Sequence, residues 1–126
     1  MERVKDTDGF GETAGYSRAV RAGPLVAVSA TAPLEEGHIV HAGDSYGQTR
    51  FAIQLALDAA AKLGAGRDDV VRTRLLLAPD CDWREAARAH AEVFAGVDPA
   101  NTTYYVGRLI PDGALVEVEL DAALSD

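Results

Sequence analysis

A single cysteine, Cys81, stands in a chain of 126 residues. No intramolecular disulfide can form, which fits a reducing compartment. The first residues, Met1-Glu2-Arg3-Val4-Lys5-Asp6, lack the apolar run of a secretory leader. No stretch approaches the roughly 18 consecutive apolar residues of a membrane-spanning helix. Basic residues are also scarce: 12 Lys and Arg against 20 Asp and Glu give a net charge of −8. The local basic pairs are Arg18 with Arg21 and Arg72 with Arg74. Phosphate backbones and anionic membranes are bound by clustered cations, so neither nucleic acid nor a membrane surface is an expected partner. There is no internal repeat, linker or low-complexity segment. A cytoplasmic, soluble protein with one domain over 1–126 is expected.

What is present is ordinary globular material, 48% apolar and 25% charged. The first fifteen residues, with Gly9, Gly11 and Gly15, read as a loose lead-in. A short strand over 16–22, the Gly23-Pro24 turn and an apolar strand over 25–30 read as a hairpin. The stretch 33–43 is a polar loop around a short strand at Ile39-Val40. Ser45-Tyr46-Gly47-Gln48 has capping-box spacing, with Ser45 as the cap of a helix that stops at Gly64. Phe51, Ala52, Leu55, Ala56, Ala59 and Leu63 supply its apolar face. A branched strand spans 70–78. Asp82-Trp83-Arg84-Glu85 opens a second helix, with Trp83, Ala86, Ala87, His90, Ala91 and Phe94 as its buried stripe and Gly96 as its end. Strands over 102–109 and 114–123, joined by Pro111-Asp112-Gly113, close the chain as a second hairpin. The order β-β-α-β-α-β-β packs most economically as an α+β two-layer sandwich with both helices on one sheet face. The other face then lacks cover, and identical neighbours would supply it, so a homo-oligomer is expected.

Gly43-Asp44-Ser45-Tyr46-Gly47 matches the letters of a nucleophile elbow, but that elbow needs a strong preceding strand and a much larger sheet, so a helix cap is expected there. His38 and His41 lie in a loop without a third metal ligand nearby in sequence, and no metal is expected. His90 falls on a helix stripe as a core or interface histidine and is the one histidine worth testing as an acid or base. Cys81 precedes a helix start, where a thiol pKa can be lowered. The last strand is more informative. Its alternation puts Glu117, Glu119 and Asp121 on one face and Val116, Val118 and Leu120 on the other. A solvated polar face and a glutamate lining an inter-subunit cleft both fit this pattern.

Several stretches together resemble the Rid family, also called YjgF/YER057c/UK114: Tyr16-Ser17-Arg18-Ala19-Val20, Val26-Ala27-Val28-Ser29, Gln48-Thr49-Arg50, Asp69-Val70-Val71, Pro99-Ala100 with Thr102, and Val116-Glu117-Val118-Glu119. The resemblance implies a chorismate-mutase-like fold and a homotrimer with clefts between subunits. It also implies hydrolysis of small enamines and imines, such as 2-aminoacrylate, to 2-keto acids and ammonia, with no cofactor. The small-molecule substrate would meet a cleft tyrosine at Tyr16, a serine at Ser29 and a water-holding glutamate at Glu117. Deaminating relatives carry an arginine after Pro-Ala, which grips the substrate carboxylate in a fork. Here that position is Asn101, followed by Thr102 and by Thr103 where a cysteine is often found. The turn carries an extra residue at Leu109-Ile110-Pro111. This pattern implies changed specificity, toward a substrate that lacks an alpha-carboxylate or holds it differently. Arg74 is a candidate replacement cation, and backbone amides near Thr102 and Thr103, with Ser29, are candidate stabilisers of developing negative charge. A dehydration, cyclisation or tautomerisation step is a second enzymatic reading, and a non-catalytic metabolite-binding trimer a third. Ribonuclease activity has been attributed to the family, but the acidic charge weighs against it here.

Overall fold

The computed structural model describes residues 1–7 and 10–125. Among them the order is β1 (Glu2–Val4), α1 (Gly11–Ala14), β2 (Ala19–Ala22), β3 (Leu25–Thr31), β4 (Leu34–Glu35), β5 (His38–Ile39), α2 (Ser45–Ala61), β6 (Val70–Leu77), α3 (Trp83–Val93), β7 (Ala100–Tyr105) and β8 (Val116–Ala123), with a 3-10 turn at Arg67–Asp69. The fold is mixed α+β. Six strands form one sheet in the order β1-β2-β3-β8-β6-β7, and β4 and β5 pair separately. No described helix is long and apolar enough to cross a membrane.

The alternation of β8 is borne out. Val116, Val118, Leu120 and Ala122 are buried, while Glu117, Glu119 and Asp121 are half-buried on the opposite face. The buried set packs with Ala52, Ile53 and Ala56 of α2 and with Leu75 and Leu77 of β6. Each larger apolar side chain removed from water there stabilises the fold by about 1.5–3 kcal/mol. The helices cover this face, leaving the other to Glu117, Glu119, Asp121 and the cross-strand residues Arg72, Arg74 and Leu76.

The closing hairpin is a correction. β7 runs parallel to β6, and β8 runs antiparallel to both β6 and β3, so β6 lies between the two strands expected to pair. The turn itself forms: the Ala114 amide donates to the Pro111 carbonyl at 3.1 Å, with Gly113 at a φ of 87°. It sits within a loop that bridges the end of β6. The Val106 amide donates to Leu77 O and the Ala78 amide to Leu115 O, both at 2.9 Å. Three strands compete for two neighbours, and the β6–α3–β7 crossover wins the edge.

Other expectations shift locally. The lead-in contains β1, which pairs with β2, and α1; Gly9 lies outside the described residues. The strand expected over 16–22 starts at Ala19, and the one at Ile39-Val40 is the short β5. Asp44, not Ser45, caps α2: its carboxylate accepts from the Gly47 amide at 2.9 Å. Ser45 is instead buried, and its hydroxyl accepts from the Asp82 amide at 2.9 Å, tying the two helix starts together. Asp82 caps α3 as expected, accepting from the Arg84 and Glu85 amides. The α3 stripe is narrower than its periodicity predicts. Ala86, Ala89 and Phe94 are buried, His90 and Ala87 are partly so, and Trp83 and Ala91 are exposed. Within one chain, α3 faces solvent along more of its surface than α2.

Candidate functional site

Glu117 is placed by the sheet. It lies opposite Leu76 of β6 near the start of β8, and its side chain opens into a cavity of about 910 Å³. Tyr16, Arg18 and Ser29 line the same cavity, with Asp6, Thr31 and Pro111. Three of the sequence-nominated residues, Tyr16, Ser29 and Glu117, are therefore brought together within one chain. Burial pushes the Glu117 carboxyl above its ordinary pKa; Arg18 pulls it back and Glu119 adds to the rise. Such a carboxyl exchanges a proton nearer neutral pH than a solvated glutamate does, which suits acid/base work.

The N-terminal segment builds the cavity wall. The Gly11 amide donates to Asp6 Oδ2 at 2.9 Å. A β-carbon at Gly11 would stand 2.6 Å from Asp6 Cβ and 2.8 Å from the Tyr16 carbonyl, so only glycine permits this approach. The Tyr16 hydroxyl accepts from the Phe10 amide at 3.3 Å. Ser29 donates its hydroxyl proton to the Ser17 carbonyl at 2.7 Å. That proton is spent, so Ser29 offers the cavity lone pairs rather than the donor expected for stabilising negative charge.

Asn101, Thr102 and Thr103 are elsewhere. They lie on β7, the far edge of the sheet, two strands from β8 and outside the cavity lining. Asn101 pairs across the sheet with Thr73 and Thr103 with Leu75, both buried toward the helices, while Thr102 pairs with Arg74 on the face of Glu117. Asn101 joins a polar chain: Thr103 donates to Asn101 Oδ1 at 2.8 Å, Asn101 Nδ2 donates to Thr73 Oγ1 at 3.0 Å, and Thr73 Oγ1 lies 2.7 Å from His90 Nε2. Thr73 Oγ1 accepts from Asn101 and keeps one proton and one further lone pair, so the direction of its bond to His90 Nε2 is set by the His90 tautomer. Burial lowers the His90 pKa and favours the neutral ring.

Arg74 does not line the cavity. Its Nη1 lies 3.3 Å from Glu119 and 3.6 Å from Asp121, so its charge is already paired. Cys81 is buried, and burial raises its thiol pKa against the helix-start expectation. His38 and His41 are exposed and outside the cavity, and no group of three or more potential metal ligands occurs among the described residues. The residue that sequence reasoning missed is Arg18. In sequence it is half of a basic pair with Arg21 and part of the Tyr16–Val20 stretch of the resemblance, with no role assigned, although it stands two residues from Tyr16, the spacing that puts extended residues on one face.

Residues 8–124 match the family described as Endoribonuclease L-PSP. An uncharacterised protein of Streptomyces coelicolor is 37% identical over 122 residues, covering 97% of this chain and 91% of that one. The 3-aminoacrylate deaminase RutC of Acinetobacter baylyi is 32% identical over 106 residues, covering 83% of each. Among solved structures, Rv2704 of Mycobacterium tuberculosis, described as a member of the YjgF/YER057c/UK114 family, superposes with a TM-score of 0.86 at 37% identity over 98% of both chains. With a family match across most of its length and relatives above 30% identity, this chain belongs to the Endoribonuclease L-PSP family, the YjgF/YER057c/UK114 or Rid proteins.

Proposed function

We propose that the chain acts on small imines, enamines or related carbonyl compounds, with Glu117 activating water or moving a proton. The observation that carries this reading is the half-buried Glu117 carboxyl, raised in pKa and facing a cavity shared with Tyr16, Arg18 and Ser29. In hydrolysis, Glu117 accepts a proton from water as the oxygen bonds to the imine carbon, and passes that proton to the nitrogen to give a carbinolamine. The hydroxyl proton then moves to nitrogen as the carbon–nitrogen bond breaks and the carbonyl forms, releasing ammonia from an acyclic imine or opening a cyclic one to the tethered amine. The 32% identity to a protein named 3-aminoacrylate deaminase supports this class of chemistry.

The working form on this reading is a homotrimer. The face of the sheet away from the helices is partly open, with the Arg74, Glu119 and Asp121 side chains 35%, 31% and 31% exposed. The outer edge of β7 is unpaired among the described residues, with Tyr104 and Tyr105 exposed to 44% and 49%. Uncovered edges and apolar patches of this kind favour association. A neighbouring copy would bring Asn101, Thr102 and Thr103 to the mouth of the Glu117 cavity. Asn101 there is neutral and shorter than the arginine of deaminating relatives, so specificity differs from 2-aminoacrylate deamination.

The test is turnover of freshly generated 2-iminopropionate and of neutral cyclic imines by the wild type and by Glu117→Gln, with the oligomeric state read by light scattering. The variant is expected to lose activity by roughly 10²–10⁴-fold while keeping a cooperative melt and the same mass. Full activity of Glu117→Gln on every substrate turned over would refute the mechanism, and a monomer would refute the shared site.

A further inference from the structure

We propose that Arg18 is the anion-binding residue of the Glu117 cavity, and that its ligand is a small carboxylate held at the guanidinium. The inference rests on reading this cavity as the ligand site. It assigns the site a cation that the position of Asn101 does not supply.

The side chain of Arg18 is 20% exposed, so a permanent positive charge sits largely out of water. Its neighbours do not use it up. A guanidinium has five N–H donors. One bond is well formed, from Nη2 to the Ala30 carbonyl at 2.7 Å. The nearest acid, Asp6, stands 3.9 Å from Nη1, the outer limit of an ion pair, and its other oxygen is committed to the Gly11 amide. The Tyr16 ring centroid lies 5.8 Å from Cζ, a weak contact. The Nε–H is buried with no acceptor among the described residues. An unmet donor on a buried cation leaves its charge under-compensated and keeps the local potential positive, which draws an anion to the part of the guanidinium that stays exposed.

The other charges around the cavity do not compete well. Lys5 is a solvated side chain paired with Glu12 at 3.4 Å, and Lys62 is exposed. Arg74, the cation nominated from sequence, is held by Glu119 and Asp121. That pairing also quenches Glu119, which lines the cavity beside Glu117. Asp58 lies on the outer wall, where its carboxylate accepts from Gln54. Asp6 and Glu117 are thus the acids that face Arg18. Glu117 is the one whose burial favours the protonated form, so an arriving carboxylate meets one cation and a carboxyl that can be neutral. A guanidinium and a carboxylate share a planar fork geometry that an amide or a lysine does not reproduce.

The experiment titrates the full chain with pyruvate and with the uncharged pyruvamide by calorimetry, while the Arg18 Nε–H signal is followed by NMR. Wild type is expected to bind pyruvate at least tenfold more tightly than pyruvamide, with a shift of the Arg18 Nε–H on addition of pyruvate. Arg18→Gln should lose this preference, Arg18→Lys should keep part of it, and Lys62→Gln should leave it intact. Equal affinity of the wild type for both compounds, no binding of pyruvate, an unmoved Nε–H signal, or a preference that survives in Arg18→Gln would each overturn the proposal. If Arg18→Gln does not fold, the wild-type preference and the Nε–H shift decide alone. Turnover separates the two readings. Arg18-dependent pyruvate binding with a Glu117→Gln variant of full activity sinks the catalytic reading and leaves the anion site. Glu117-dependent turnover of neutral imines without a pyruvate preference does the reverse.

Discussion

Replacing Gln48 with leucine tests how the start of β8 is held. Gln48 is fully buried in α2. Its Oε1 accepts from the Leu115 amide at 2.7 Å, and its Nε2 donates to the carbonyls of Gly113 at 3.1 Å and His41 at 3.3 Å. Leu115 is two residues before Glu117, so this one amide side chain pins the strand that delivers the candidate catalytic carboxyl. Leucine is close in volume and cannot make any of the three bonds. The Leu115 amide is buried and would be orphaned, at about 1–3 kcal/mol. Gly113 and His41 are exposed residues whose carbonyls can turn to water, adding about half a kcal/mol each at most, so the net loss is about 1–4 kcal/mol. An unfolding entropy of about 2.1 cal/mol/K per residue converts this to roughly 4–15 °C in Tm for a chain of this length. Thermal melts at one fixed protein concentration measure it, since association would make Tm depend on concentration. Gln54→Leu is the control. Gln54 is exposed and, among the described residues, bonds to Asp58 at 2.8 Å, so its loss should stay within about 0.5 kcal/mol. A Gln48→Leu protein melting within about 2 °C of wild type would refute the claim that this buried amide organises β8.

Two pH predictions have opposite signs. The Glu117 pKa is raised in the folded chain, so its contribution to stability is present below the unfolded glutamate value and is lost as pH rises through the folded value. Denaturant melts should therefore show Glu117→Gln gaining on wild type as pH climbs from 4 toward neutrality, and a constant difference would contradict the burial argument. The His90 pKa is lowered, so its contribution is present above the unfolded histidine value and is lost as pH falls toward the folded value. Wild type should lose stability in that acidic window relative to His90→Gln, and a pH-independent difference between the two in denaturant melts would contradict the burial of the ring.

Much of the fold could be read from local pattern. The strict alternation of Val116-Glu117-Val118-Glu119-Leu120-Asp121 specified a strand with two unlike faces, and the apolar face is the buried one. The helix starts near Ser45 and Asp82 were visible because caps are local chemistry, although the bond at the first one belongs to Asp44. Tyr16, Ser29 and Glu117 were nominated by resemblance and share one cavity. Arg18 was passed over because the partners that define it, Asp6 and the Ala30 carbonyl, are 12 residues away on either side. The wider buried stripe expected on α3 is not formed in full, because periodicity counts candidates for a buried face, not the area available to bury them.

Sequence alone determined which residues alternate, where helices begin, and that one strand would carry acids on a single face, because these follow from backbone geometry over a few residues. Tertiary structure decided that β6 separates β7 from β8, that Arg74 is consumed by Glu119 and Asp121, and that Arg18, among the described residues, keeps an unspent donor at the cavity it shares with Glu117. Strand order and charge pairing depend on which distant segments compete for the same edge or the same carboxylate. That competition is settled only when the whole chain has packed.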